Sequence, residues 1–204
     1  MRDIAALLVG SIFTCVTAIT CQADEIPLRM IPMQAVTAPP GYVDFCTRNP
    51  RDCGSSSVRQ EVLSMNANRW EQVGTINSRI NQTVTSSNDL ELFGEAEHWT
   101  IAETAGDCED FVLLKKQRLE QMGYPSSTLL ITVVLDENNE GHAVLTITTD
   151  TGDYVLDNRR DEILPFASTG YQFLKRQSQL DPKRWVSLAA VLTDGSAAVA
   201  SRSP

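Results

Sequence analysis

Apolar residues recur at helical spacing over two stretches of the chain. From Val58 to about Val84 they keep to one side of a helix, at Leu63, Trp70, Val73, Ile80 and Val84. The pattern leaves open a division of this helix at Gly74, because glycine is a weak helix former. The second stretch runs from Cys108 to about Met122, where Gly123 and Pro125 supply a helix end. We therefore predict two helices.

Two asparagines, Asn77 and Asn81, share a face of the first predicted helix. We expect them to be solvated positions unless a group outside the helix needs their amides. Asn81-Gln82-Thr83 also matches a glycosylation sequon. We set the sequon aside, since nothing in the sequence establishes a host with that machinery.

The second predicted helix carries a thiol in its first turn. Its apolar residues fall within a stripe of roughly 100°, formed by Cys108, Phe111, Val112, Leu119 and Met122. A helix N-terminus can lower the pKa of a thiol. Asp107, Glu109 and Asp110 surround Cys108, however, and three anions oppose its ionisation. Either the thiol is inert or a positive group lies beside it.

Three apolar runs after this helix predict strands over Leu129–Leu135, His142–Thr148 and Asp153–Asp157. The turn signals "DENNEG" and "TDTG" separate them, so we expect an antiparallel meander. The block that follows should supply loop and one or two more strands. The proline-rich stretch before Cys46 predicts an extended lead-in without a regular element, and residues 85–99 predict a long loop.

The second predicted hairpin brings two polar residues to one face. A loop centred on residues 150 and 151 pairs Thr148 with Asp153, so that His142 and Asp157 become near-diagonal neighbours. If the Cys108 helix packs on this face, a thiol, an imidazole and a carboxylate meet as nucleophile, base and orienting acid. The other histidine of the chain is His98. Taken singly, His142 and Asp157 are also ordinary residues of a strand end.

The N-terminal 23 residues have the pattern of a secretory signal. Arg2 precedes an apolar run from Ile4 to Ile19, and Cys21-Gln22-Ala23 forms a small-x-small cleavage site. A membrane anchor and a lipid anchor on Cys21 are the alternatives. Residues 193–204 predict a disordered tail. We place a single α+β domain between these ends, at residues 24–192.

Export to an oxidising compartment changes the interpretation of the cysteines. Cys46 and Cys53 stand close together, with Pro50 and Gly54 to bend the chain, so they can form a small loop disulfide. Cys108 is then the odd cysteine of the mature chain. An odd cysteine is either a reactive thiol or a small buried apolar residue.

The net charge of −9 indicates which kinds of partner the protein can bind. Nucleic acids and anionic membrane surfaces both bind positive faces, so we expect neither as a partner. A cationic ligand such as a metal ion suits an acidic protein better.

Three segments resemble the bacterial transglutaminase-like cysteine peptidases, namely "GDCEDFVLLKKQRLEQMGYP", "EGHAVLTITTDTGDYVLDN" and "GYQFLKRQSQLDPKRWVSL". The resemblance covers roughly residues 40–188 and depends most on G-D-C-E-D, G-H-A and L-D-N in this order. It implies a papain-like α+β fold with the catalytic helix packed on an antiparallel sheet. By position it implies a thiol endopeptidase with Cys108 as nucleophile, His142 as base and Asp157 as orienting acid.

The resemblance further implies a calcium ion bound by the carboxylates that flank the nucleophile, Asp107, Glu109 and Asp110. A hard cation takes several oxygen ligands and would cancel the local negative field. The same acids can instead be an N-cap and first-turn residues that favour the helix dipole. With the signal, the resemblance implies a periplasmic protein, expected as a monomer, with a protein substrate such as a cell-surface protein and an inner-membrane regulator.

Two other functions stay open at this point. An acyltransferase of the same fold would resolve the thioester with an amine instead of water. A non-catalytic calcium-dependent binding module would simply bury Cys108. The sequence also departs from the family after Trp99, where Thr100-Ile101-Ala102 replaces the usual Trp-x-Thr/Ser-Pro pattern. The resemblance therefore does not determine how a substrate approaches the site.

Overall fold

The computed structural model describes residues 29–54 and 61–189. The predicted signal of residues 1–23 and the predicted tail of residues 193–204 lie outside this part of the chain. Within the described ranges, no helix is both long enough and apolar enough to cross a membrane.

Helices lie mainly in the first half of the chain and strands mainly in the second. In chain order the elements are β1 (Pro32–Val36), α1 (Pro40–Arg48), α2 (Ala67–Thr83), β2 (Thr85–Ser86), α3 (Asp89–Phe93), β3 (Ala105–Gly106), α4 (Cys108–Gln121), β4 (Leu129–Leu135), β5 (Gly141–Thr149), β6 (Gly152–Asp157), β7 (Arg160–Pro165), β8 (Gln172–Gln177) and β9 (Trp185–Leu188). Short 3₁₀ turns lie at Ser126–Thr128 and Phe166–Ser168. The predicted α+β class is confirmed.

Seven strands form one antiparallel sheet in the order β1-β9-β8-β4-β5-β6-β7. The predicted meander is β4-β5-β6, and Thr148 pairs with Asp153 in the predicted register. This register follows from a local cause, because Thr149 pairs with Gly152 around a two-residue loop. The helix α4 packs across β5 and β4 at the centre of the sheet.

The lead-in and the predicted long loop contain more regular structure than the sequence indicates. The lead-in forms β1, which pairs with β9 at the sheet edge, and α1, which begins at Pro40. Within residues 85–99, α3 starts behind Asn88, whose side chain accepts a hydrogen bond from the Glu91 N–H. Three strands follow β6 instead of one or two. Short elements have no sustained period, and pairing with distant segments stabilises them.

The helix α2 is continuous but shorter than predicted. It runs from Ala67 to Thr83 without a break at Gly74, and Asn66 caps its start by accepting a hydrogen bond from the Arg69 N–H. Leu63, which the pattern assigned to this helix, forms an isolated bridge with Thr149 instead. The helix packs against α4 and β7.

The main core lies between α4 and the sheet. Its buried side chains include Val112, Leu113, Leu119, Leu129, Ile131, Leu145, Ile147 and Leu156. Tyr42 of α1 joins this core and stands edge-on to Trp99 and Trp185. The predicted disulfide between Cys46 and Cys53 is present at the end of α1. Burial of apolar area on both sides of α4 holds this helix, and with it the first-turn thiol, against the sheet.

Candidate active site

Cys108 is the first residue of α4, and Asp107 is its N-cap. The half-buried thiol lines a cleft of about 290 Å³ that it shares with Glu109 and His142. Cys108 Sγ donates a hydrogen bond to Glu109 Oε2 over 3.0 Å. Burial raises the pKa of the Cys108 thiol, the charge of Glu109 raises it further, and a hydrogen bond from the Ala143 backbone acts in the opposite direction. These neighbours keep the thiol protonated.

His142 and Asp157 meet as the predicted register requires. His142 lies near the start of β5 and Asp157 at the end of β6, and His142 Nε2 is 2.9 Å from Asp157 Oδ1. Both side chains are 1% exposed, so water does not weaken their hydrogen bond. Because His142 also lines the cleft that holds Cys108, the structure brings all three predicted residues to one site.

Tyr171 is a second partner of Asp157 that the sequence did not reveal. Its hydroxyl donates to Asp157 Oδ2 over 2.6 Å, and its ring stands edge-on to the His142 ring with the centroids 5.7 Å apart. Arg160 donates to the same hydroxyl over 3.1 Å. Tyr171 precedes β8, and no spacing rule connects that position to the end of β6.

Asp157 is ionised in spite of its burial. Burial raises the pKa of this carboxyl, but hydrogen bonds from His142 and Tyr171 outweigh that effect and hold the pKa at about 2. An ionised carboxylate only accepts hydrogen bonds, so the Nε2–H of His142 is the donor. His142 Nδ1 is buried and has no hydrogen-bond partner among the described residues. This nitrogen is therefore the one that can act as a base.

The charge of Asp157 predicts a pH-dependent effect of Asp157→Asn on stability. A folded-state pKa of about 2 lies below the ordinary value of 3.8, so the carboxylate stabilises the fold above about pH 4 and loses this effect as the pH falls to about 2. We expect the variant to lose about 2 kcal/mol of unfolding free energy at pH 7 and little near pH 2. Urea denaturation at both pH values measures this, and equal losses would contradict an ionised Asp157.

Three carboxylates form a cluster next to the thiol. Ligand atoms of Asp89, Asp107 and Glu109 lie within 4.8 Å of one another. Asp89 is the first residue of α3, and its stretch of sequence has no periodicity from which its place beside Asp107 could be predicted. Within residues 29–54 and 61–189, Asp89 Oδ1 and Asp107 Oδ1 are buried without a hydrogen-bond partner.

Asp110, the third predicted calcium ligand, lies outside this cluster. Its Oδ1 accepts a hydrogen bond from the Thr100 N–H over 2.7 Å, which ties the loop before β3 to α4. Gly106 permits this arrangement, because a Cβ at that position would lie 2.6 Å from Asp110 Oδ2. The close approach accounts for the glycine of the G-D-C-E-D motif.

The carboxylates of the first turn oppose one another electrostatically. Burial raises the pKa of Asp107 to about 8, and the charge of Glu109 adds to the effect. Burial also raises the pKa of Glu109, and it raises that of Asp110 to about 7. Carboxylate oxygens are the ligands that a hard cation such as Ca²⁺ prefers, and the unpaired oxygens of Asp89 and Asp107 are available for one. The cluster therefore fits a calcium ion.

His98 has a different environment from His142. Its Nδ1 is 3.0 Å from Glu95 Oε2, and its ring packs against Phe93 with the centroids 4.4 Å apart. Its backbone N–H donates to Asp89. Of the two histidines, His142 is the one that lines the cleft with Cys108.

Groups outside α2 do need the amides of Asn77 and Asn81, so the expected solvated positions are not observed. Asn77 is fully buried, and both side chains donate to backbone carbonyls in the hairpin of β6 and β7. The amide nitrogen of Asn81 is occupied by these bonds, so the sequon is not an open glycosylation site in the folded chain.

Structures of Legionella pneumophila LapG are similar to part of the chain. One is 26% identical with a TM-score of 0.45 and covers 52% of this chain and 64% of LapG. An EGTA-treated LapG is also 26% identical with a TM-score of 0.45, over 52% of this chain and 62% of that one. A calcium-bound LapG is 22% identical with a TM-score of 0.42, over 64% and 74%. In the first two comparisons the chain spans less than two thirds of the LapG chain.

A protein-family model gives a more extensive match. The model is described as bacterial transglutaminase-like cysteine proteinase, BTLCP, and it matches residues 33–192. No curated protein matches the chain. The matched range contains the cleft, the cysteine at its helix start and all of the sheet except Pro32 at the start of β1, and it confirms the predicted fold and the class of cysteine peptidase. The chain belongs to the family of bacterial transglutaminase-like cysteine proteinases.

Proposed function

We propose that this cysteine peptidase is a thiol endopeptidase in which Cys108 is the nucleophile, His142 the base and Asp157 the orienting acid. The observation that supports it most is the 2.9 Å bond between His142 Nε2 and Asp157 Oδ1, which leaves His142 Nδ1 unpaired in the described chain. His142 and Cys108 line the same cleft. A base with its tautomer set by a buried acid, beside a thiol at a helix start, is the arrangement that nucleophilic catalysis needs.

The residues suggest a two-stage reaction. His142 Nδ1 takes the thiol proton, and Cys108 Sγ attacks the peptide carbonyl to form a tetrahedral intermediate. The N-terminus of α4 favours the negative charge on its oxygen. The intermediate collapses to a thioester as the imidazolium of His142 protonates the leaving amine. Water, deprotonated by His142, then attacks the thioester and releases the acid product and the thiol.

Calcium dependence is part of the proposal. Asp89, Asp107 and Glu109 would hold the ion, whose charge of +2 would offset most of the negative charge of the three carboxylates. Glu109 Oε2 is at present the acceptor of the Cys108 thiol proton. As a ligand, Glu109 would no longer compete with His142 for that proton. This resolves the conflict between a nucleophile and the acids around it.

We also propose that the protein is exported to the periplasm by the signal of residues 1–23 and acts there on a protein substrate. The Cys46–Cys53 disulfide is consistent with an oxidising compartment.

Mass spectrometry distinguishes hydrolysis from acyl transfer. We expect incubation with an unfolded polypeptide and a primary amine, in calcium and H₂¹⁸O, to produce shorter peptides with ¹⁸O in their new carboxyl groups. The Cys108→Ala protein is the matched control and should produce none. Amine in place of ¹⁸O at the new carboxyl ends, or amine adducts on side-chain amides without shortened peptides, would instead establish the acyltransferase.

A further inference from the structure

Asp157 lies beside an irregularity in the sheet. The pairing of β6 with β7 changes register between Val155 and Asp157, which interrupts the regular ladder of hydrogen bonds. The strand β7 is at the edge of the sheet and is mostly half-buried or exposed. The sheet alone therefore does not fix the backbone that carries this carboxylate.

Two amides from α2 supply hydrogen bonds to this turn. Asn81 Nδ2 donates to the carbonyl oxygen of Asp157 over 2.9 Å, to that of Arg160 over 3.0 Å and to Asp161 Oδ1 over 3.0 Å. Asn77 Nδ2 donates to the carbonyl oxygens of Arg160 and Asp161 over 3.1 and 3.0 Å. Every partner is an acceptor, so both positions require a side chain that donates hydrogen bonds.

The helix that carries these amides is itself well anchored. Its buried residues Val73 and Ile80 belong to apolar clusters of the core, and it packs on both α4 and β7. The helix α4 carries Cys108 in its first turn. The backbone of Asp157 is thus held by α2, and α2 packs on α4, the helix that carries the Cys108 thiol.

We propose that Asn81, supported by Asn77, is a positioning residue that sets the direction of the Asp157 carboxylate and through it the tautomer and ring orientation of His142. This inference rests on the roles proposed above for these two residues. Asp157 Oδ1 accepts hydrogen bonds from His142 Nε2 over 2.9 Å and from the Arg159 N–H over 3.0 Å, and Oδ2 accepts one from the Tyr171 hydroxyl over 2.6 Å. A small shift of its backbone would lengthen one of these bonds, and misplacement by about 1 Å can cost about a hundredfold in rate.

The test compares Asn81→Asp and Asn81→Ala with Gln82→Ala. Aspartate keeps the shape of asparagine but cannot donate, and alanine removes the amide without adding charge. Gln82 is exposed, and its one hydrogen bond to this turn goes to the Asp161 carboxylate over 3.3 Å. Gln82→Ala is therefore the matched control. Asn81 is half-buried. Thermal melting of both Asn81 variants checks that they remain folded.

Histidine ¹⁵N NMR is the first readout, because it does not depend on activity. The chain has two histidines, so a His98→Ala background assigns the signals. We expect the unchanged protein and Gln82→Ala to show His142 as the Nε2–H tautomer. Both Asn81 variants should show averaging between tautomers.

Peptide hydrolysis is the second readout. We expect the Asn81 variants to lose kcat by tenfold to about a hundredfold with little change in KM. A wild-type His142 spectrum together with a wild-type kcat in Asn81→Ala would overturn the positioning role. If the unchanged protein hydrolyses no peptide, the proposed function fails, whereas the tautomer comparison still tests the role of Asn81.

Discussion

Cys108→Ala is expected to abolish peptide hydrolysis and to leave the fold intact. The thiol supplies the nucleophile, and removing such a group costs on the order of 10⁴-fold or more in rate. Its structural contribution is small, because it is half-buried and its hydrogen bond goes to Glu109. Hydrolysis of a labelled polypeptide and thermal melting measure the two effects separately. Residual hydrolysis within tenfold of the unchanged protein would remove Cys108 from the mechanism.

The companion variants separate the two histidines. His142→Ala should lose nearly as much activity as Cys108→Ala, since with Glu109 bound to calcium His142 is the base that takes the thiol proton. His98→Ala is the matched control, because His98 contacts Glu95 and Phe93 and not the cleft.

Iodoacetamide labelling of Cys108 across pH, in calcium, should give a thiol pKa below the ordinary value of about 8.5. An ordinary or higher value in the calcium-loaded protein would contradict an activated thiol.

Chelation is expected to lower activity and thermal stability together. With a free ion at about 100 times its Kd, binding adds about 2.7 kcal/mol of stability, which raises the Tm by on the order of 5–10 °C for a chain of this size. Calcium should restore both properties, and magnesium should not, because magnesium requires a tighter octahedron and loses water reluctantly. Melting scans and titration calorimetry in chelator, calcium and magnesium measure the effect.

The calcium effect should depend on pH with a defined sign. Burial raises the pKa of Asp107 from 3.8 to about 8. In chelator its stabilising protonated form is complete below about pH 4 and is lost as the pH rises through about 8. The difference in Tm between calcium and chelator should therefore grow from pH 5 to pH 8.

Single substitutions identify which acids bind the ion. Asp107→Asn and Asp89→Asn should each lose the calcium response, and Glu71→Gln, an exposed acid on α2, is the control that should keep it. Loss of the response in Asp110→Asn but not in Asp89→Asn would support the ligand set that the sequence predicted in place of the cluster. Equal melting temperatures in chelator and calcium, with no heat of binding, would show that these acids cap the helix and bind no calcium.

Features whose partners are close together in the chain could be predicted from the sequence. The helix that begins at Cys108 follows from its apolar stripe and from the glycine and proline that end it. The tight turn around residues 150 and 151 determines the register of β5 and β6, and the register determines that His142 meets Asp157. The Cys46–Cys53 disulfide is equally local. In each case, one short segment contains the physical cause.

Contacts between distant segments were decided by the tertiary structure alone. Asp89 joins Asp107 and Glu109 only because α3 folds back beside the first turn of α4, and Tyr171 reaches Asp157 only because β8 lies in the same sheet. The contacts of Asn77 and Asn81 could not be predicted for the same reason. A helical period shows which face a residue occupies but not what will pack against that face. Such contacts are stabilised by the burial of groups that are far apart in the sequence. No local pattern of residues therefore predicts them.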